Sequence, residues 1–257
     1  MAETKLSTHT NEALFLRDKN LVEDVMGKMS FTDAMFYHIM GVSPSTGQRA
    51  ILDAVLVTLM EHGFTPSAIA ARMTYLSAPE AMQSAVAAGL LSVASQFIGT
   101  MENAAKVLED IANDPNGQDT ACQRIVQHCL DSGNHMPGFG HHLHRPDDPR
   151  TPKLFEIAMA HDEIDKRPIA MMQKLGQHVD QIYGKHLTIN ATGATAAVLM
   201  GAAVPVRIMR GFAVISRAAG LVAHVMEEQQ NPAGRHIWDL VDNDIPYTGN
   251  ALIKPAP

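Results

Sequence analysis

The chain has 257 residues, 46% of them hydrophobic, which is enough to bury one sizeable core or two unequal ones. A formal charge of −7 and a pI near 6.0 rule out a strong positive field, so nucleic acid and anionic membrane surfaces are not expected partners and any anion site must be local. The longest uninterrupted apolar run, Ala196 to Val206, has 11 residues, too few to span a bilayer, and Met1-Ala2-Glu3-Thr4-Lys5 lacks an apolar signal region, so the expected placement is cytoplasmic.

Helical periodicity recurs along the chain with almost no alternating strand pattern, and Ala, Met and Leu are abundant, so the expected fold is all-α. Ser30-x-x-Asp33 reads as a capping box that opens a helix ending around Gly41, before Pro44. Ile51, Leu52, Val55, Leu56, Leu59 and Met60 then repeat at helical spacing, and Gly63 is a natural stop. His62 is thereby expected in the last turn, where the helix dipole favours a protonated imidazole able to attract an anion; a plain C-terminal capping role is the alternative.

Residues 80 to 111 read as two helical pieces meeting near Phe97-Ile98-Gly99. The only cysteines, Cys122 and Cys129, have Cα atoms roughly 10 Å apart if one helix carries both, too far for an intrachain disulfide. His128 and His135 lie nearby, but adjacent helix positions point in different directions and no recognised ligand spacing occurs, so no metal is expected.

The stretch Pro137-Gly138-Phe139-Gly140-His141-His142-Leu143-His144-Arg145-Pro146-Asp147-Asp148-Pro149-Arg150 holds the densest chemistry. Its Gly138-Phe139-Gly140 turn lets backbone approach a ligand closely, His141 stands at the rim, and Arg150 follows nine residues on. That pairing suits a carboxylated substrate, with an exposed His-rich loop as the bland alternative. Beyond it, helix is expected over 152 to 178 with an interruption at Pro168, and over 192 to 230 as two helices separated before Pro205. On the last of these, Ile208, Phe212, Ile215, Ala219, Val222 and Met226 share one face and Arg210, Arg217 and His224 the other, which reads as a core stripe opposite a solvated basic one.

The Gly-Phe-Gly-His turn followed by Asp148-Pro149-Arg150 resembles the signature of the citrate synthase superfamily. Leu21 to Asp33, Glu61-His62-Gly63 before Arg72, and Ser216-Arg217-Ala218-Ala219-Gly220-Leu221-Val222-Ala223-His224 agree with it in order and spacing, so the resemblance spans roughly residues 20 to 250. It implies a large helical domain built from both ends of the chain, 1-99 and 191-257, with a smaller helical domain, 100-190, inserted. It also implies that His141 is catalytic, that His62, Arg150 and Arg217 bind substrate carboxylates, and that Arg235 is delivered by the neighbouring subunit of a homodimer or dimer-based oligomer. Gly138, Phe139 and Gly140 then face a coenzyme A ester, which enters as substrate together with a small carboxylate; no cofactor is held permanently.

Two departures select a branch. Where citrate synthases carry a catalytic histidine this chain has Phe97, as the citryl-CoA lyase module of ATP-citrate lyase does, and Arg235-His236-Ile237-Trp238-Asp239 resembles that module's tail. The family's Asn-Val-Asp-Gly appears as Asn190-Ala191-Thr192-Gly193, and a threonine hydroxyl at Thr192 cannot act as a general base near neutrality. The resemblance thus implies a lyase in which His141, near its working pKa, takes the proton of a tertiary alcohol in a retro-Claisen cleavage, with Thr192 or His186 among the groups able to serve the leaving enolate. A synthase-like transferase and a non-catalytic acyl-CoA-binding paralogue are the alternatives.

Overall fold

The computed structural model describes residues 2–94 and 99–249. Phe97, the residue that bears on the branch, lies outside the described residues. Eleven α-helices are found among those described, together with one short π-helical turn at Leu21–Val25. They form two compact units, Met1–Met60 with Ala94–Ser216, and Glu61–Val93 with Arg217–Pro257.

The first unit opens with a feature that the periodicity did not reveal, an antiparallel sheet of strands β1 (Ser7–His9), β2 (Leu14–Leu16) and β3 (Lys19–Asn20) in sequential order. Two or three residues are too few to show a period of two, so such strands carry no sequence signal. Helix α1 (Phe31–Met40) starts at the expected capping box, with Ser30 Oγ accepting the Asp33 N–H at 3.1 Å, and stops at Gly41. Helix α2 (Thr46–Met60) buries Ile51, Leu52, Val55 and Leu59, as its spacing predicts.

Helices α5 (Thr100–Asn113), α7 (Arg150–Met159) and α8 (Arg167–Tyr183) pack on α9 (Ala191–Gly201), and α6 (Gln118–Asp131) packs on α5 and α8. A helix of small and apolar residues on every face has no polar side to offer water, and α9 is buried along nearly its whole length. Both cysteines lie on α6 as free thiols. The break at 160–166 precedes Pro168, which sits in the first turn of α8, where its missing N–H costs nothing.

The second unit holds α3 (Pro66–Ser77), α4 (Met82–Leu91) and α11 (Gly234–Asp244), and the division falls within α10 (Val206–Gln230). By length and composition α10 could cross a membrane, but half of the qualifying window is buried inside the protein. Its second half reverses the expected facing. Ala219, Val222 and Met226 are exposed, whereas Arg217, Leu221, His224, Val225 and Glu228 are buried. The reason is polar: Arg72 on α3 is completely buried, and two of its acceptors, His224 and Glu228, are buried with it.

Candidate active site

In the first unit the Gly138–His141 turn is pinned to the segment before α9. Phe139 pairs with Ile189 in an antiparallel bridge, Gly140 N donates to Thr188 O at 2.8 Å, and Asn190 N donates to Gly138 O at 3.0 Å. Asn190 completes the join with its side chain, giving Nδ2–H to Gly140 O at 2.9 Å and receiving the N–H groups of Thr192 and Gly193 on Oδ1, each at 3.1 Å. It is therefore the N-cap of α9 and the brace of the turn at once. A Cβ at Gly193 would stand 2.5 Å from Gly138 O, and Gly138 has φ +84°, so glycine is required at both positions. Phe139 is buried, whereas Gly140 and His141 are half-buried.

His141 is fixed by the loop that follows it. Its Nδ1 accepts the backbone N–H groups of Leu143 at 3.1 Å and His144 at 3.0 Å. Amides only donate, so Nδ1 carries no proton and the neutral ring holds its hydrogen on Nε2. Burial, the neighbouring rings of His144 and His142, and the charge of Arg150 push its pKa down to about 4, against a smaller upward pull from Asp148. The expectation of a histidine poised near neutrality is corrected here: His141 is a neutral Nε2–H donor, because protonation would cost desolvation and both amide bonds.

Arg150 opens α7 and is gripped by Asp148. The Asp148 carboxylate is fully buried and accepts Arg150 Nε at 2.9 Å, Nη2 at 2.7 Å, and the N–H groups of Arg150 and Ala191. Burial alone would raise the pKa of Asp148, but these hydrogen bonds outweigh it and hold the carboxyl below its ordinary value. Part of the guanidinium fork is thus spent on Asp148, which aims it.

Thr192 spends its only hydroxyl proton on Asn190 Oδ1 at 2.7 Å and accepts from Thr100 Oγ1 at 2.9 Å. In this arrangement it has no proton left to give an enolate. His186 bridges Asp180 at 2.6 Å and Asp147 at 3.1 Å; its hydrogen bonds to these carboxylates raise its pKa against a smaller desolvation effect. It borders a cleft between α7 and α8 that also touches Phe155, Gln177 and Thr188.

In the second unit His62 is not in a helical turn. Helix α2 ends at Met60, and the Glu61 carboxylate folds back to accept the N–H groups of His62 at 2.8 Å and Gly63 at 2.6 Å. The helix-dipole argument for His62 therefore falls away. Arg217 is buried, and among the described residues its Nε and Nη1 have no hydrogen-bond partner. Desolvation lowers its pKa, opposed by the charge of Glu61. A buried guanidinium with two orphaned donors fits an anionic ligand, and Nε and Nη1 lie on different edges of the guanidinium, so each would serve its own acceptor atom. Arg235, by contrast, is exposed on α11, paired with Asp239 at 3.0 Å and stacked on Trp238 with its guanidinium carbon 4.8 Å from the ring centre.

Sequence reasoning assigned no role to Asn190, Asp148 or Glu61, which position the candidates. Asp148 lies in the recognised Asp-Pro-Arg segment and Glu61 beside His62, so their place in the motifs was the available signal.

The chain matches the model for the C-terminal domain of citrate synthase over residues 8–238. It is 26% identical over 204 residues to the 2-methylcitrate synthase of Shewanella oneidensis, covering 77% of this chain and 52% of that protein. Against the citrate synthase of Haloferax volcanii it is 26% identical over 198 residues, covering 76% and 50%. It thus spans about half the length of the curated relatives it matches. Among solved structures, citryl-CoA lyase from Hydrogenobacter thermophilus aligns with a TM-score of 0.85 and 28% identity, over 100% of this chain and 98% of that one. ATP citrate lyase from Methanothrix soehngenii, in complex with citrate and coenzyme A, shares the fold with a TM-score of 0.79 at 18% identity, over 98% of this chain and 42% of that one. With its glycine turn, its Asp-Pro-Arg clamp and a family match over most of its length, the chain belongs to the citrate synthase family.

Proposed function

We propose that the protein is a carbon–carbon lyase that cleaves citryl-CoA, or a related 3-hydroxy-3-carboxyacyl-CoA, to acetyl-CoA and oxaloacetate by a retro-Claisen step. The observation that carries this reading is the likeness to the Hydrogenobacter citryl-CoA lyase, with a TM-score of 0.85 at 28% identity.

Each residue has a role that its geometry permits. Arg217 offers two buried donors to a substrate carboxylate, with Arg150 and His62 as further carboxylate contacts. His141 donates its Nε2–H to the reacting oxygen as that oxygen changes from hydroxyl to carbonyl, stabilising the charge that builds there. The electron pair of the broken carbon–carbon bond passes to the thioester enolate. The hydroxyl proton passes to water as the carbonyl forms and the enolate carbon takes a proton from water, so protons and electrons balance and coenzyme A enters only as the ester. The backbone of Gly138 and Gly140 flanks His141 on that account as the coenzyme A contact.

A dimer accompanies this reading. Trp238, Leu240, Val241 and Ile245 leave an exposed apolar surface on and just after α11, and Arg235 stands beside it, suited to reach a second copy.

One observation favours a second reading. With a threonine at the family's aspartate position and its hydroxyl committed to Asn190, an acyl-CoA-binding protein without turnover also fits. Purified protein given citryl-CoA, and separately acetyl-CoA with oxaloacetate, separates the cases. The lyase releases oxaloacetate from citryl-CoA and forms no free CoA thiol from the second pair; a synthase releases thiol; a binder does neither while retaining the ester.

A further inference from the structure

In the second unit the imidazole of His224 joins a buried ion pair to the loop that carries His62. On one side Arg72 Nε–H donates to His224 Nδ1 at 3.0 Å; on the other, His224 Nε2 stands 3.1 Å from both oxygens of Glu61. Nδ1 is therefore the acceptor, and Nε2 carries the proton toward Glu61. We propose that His224 is a positioning residue for substrate binding, coupling the buried Arg72–Glu228 pair to Glu61 so that Glu61 holds the backbone of His62 and Gly63 in place. This rests on the carboxylate-binding role proposed above for His62 and Arg217.

The inner end of the chain is rigid. Arg72 is completely buried and assigns each guanidinium nitrogen its own acceptor: Nε to His224, Nη1 to Glu228 at 2.7 Å, and Nη2 to Glu227. Glu228, also buried, is fixed in turn by the N–H groups of Ala233 and Gly234. Breaking any of these links leaves a buried charge or amide unpaired, so the alternatives are costly.

The outer end is weak without that anchor. Residues 61–65 follow the end of α2, and Gly63 has φ +71°. The Glu61 side chain is 44% exposed, yet one of its oxygens receives two consecutive amides. An exposed glutamate left to itself samples many rotamers, and ordering it costs side-chain entropy. The bridge from His224 selects the one rotamer that closes the turn. Phe64 adds a wall, meeting His224 edge-on at 5.9 Å with Arg72 over its ring at 4.8 Å. The same Glu61 charge partly offsets the buried Arg217, so one carboxylate serves both candidate substrate contacts.

Two amide variants split the two faces of the ring. In His224→Gln the side-chain N–H reaches the place of Nε2 and keeps Glu61, while Arg72 loses its acceptor. In His224→Asn the side-chain oxygen takes the place of Nδ1 and keeps Arg72, while Glu61 is released. Amide hydrogen exchange at His62 and Gly63, with melting temperature alongside, reads the result. The proposal expects exchange about three- to tenfold faster in His224→Asn, and the lower melting temperature in His224→Gln with these amides still protected. Exchange that instead follows the melting temperature, or that is equal in both variants, overturns it and leaves His224 as part of the core only. The KM for citryl-CoA should rise more in His224→Asn than in His224→Gln. A wild-type protein that does not cleave citryl-CoA defeats the lyase reading, and the exchange result decides the positioning role independently.

Discussion

His141 Nδ1 accepts the backbone N–H of His144 at 3.0 Å, and with the matching bond from Leu143 this fixes the ring proton on Nε2. The side chain is a neutral donor at physiological pH. NMR titration should show the His141 ring unprotonated down to about pH 4, with no inflection near 6.5. The sign for stability follows. The folded value lies below that of an unfolded histidine, so the unfolded chain binds the proton first, and stability is lost as pH falls from 6.5 toward about 4. His141→Ala should therefore lose less stability than wild type over that window, measured by denaturant unfolding at each pH.

Arg217 predicts a conflict between stability and binding. Among the described residues its Nε and Nη1 are buried without hydrogen-bond partners, so the fold carries their desolvation cost. Arg217→Met should leave the melting temperature unchanged or raise it. Citrate or oxaloacetate affinity should fall about 10- to 100-fold, the worth of hydrogen bonds to a charged group, as read by calorimetry. A destabilised variant that still binds would contradict this.

Removing Glu228 should have the opposite balance. In Glu228→Ala, Arg72 keeps its charge but loses its buried partner, and the amides of Ala233 and Gly234 lose their acceptor. A loss of about 3–5 kcal/mol is expected, which for a chain of this size lowers the melting temperature by on the order of 10 °C.

The contact between Gly138 and Gly193 admits no side chain. Gly193→Ala would drive a Cβ into Gly138 O, so either α9 or the turn must shift, at about 1–3 kcal/mol. Because the shift moves the backbone entering His141, turnover should fall by more than the stability loss explains. Unchanged kcat with a lowered melting temperature would mean that the turn is not coupled to the chemistry.

Much of the helical frame was legible because its signals are local. The Ser30 capping box, the stripe of α2 and the break before Pro205 depend on residues a few positions apart. The facing of α10 was not legible, since Glu228 is buried by Arg72, which lies 156 residues away in the chain. Periodicity assigns a charged residue to water unless its partner is known. His62 lies beyond the end of α2 because the Glu61 carboxylate folds back onto the amides of His62 and Gly63, a geometry that composition does not encode. The candidates His141, Arg150 and Arg217 were proposed by resemblance, while Asn190, Asp148 and Glu61 became visible only through their hydrogen bonds. The protonation state of His141 depends on two backbone amides, and no side-chain pattern records those.

The most direct measurement mixes purified protein with citryl-CoA and follows oxaloacetate release through malate dehydrogenase and NADH absorbance, with a folded His141→Ala variant in parallel. The account predicts release by the wild type and a fall of about 10²- to 10⁴-fold in the variant, the range for losing one positioned proton donor. Wild-type protein that retains citryl-CoA without releasing oxaloacetate, or a variant that turns over as fast as wild type, would contradict it.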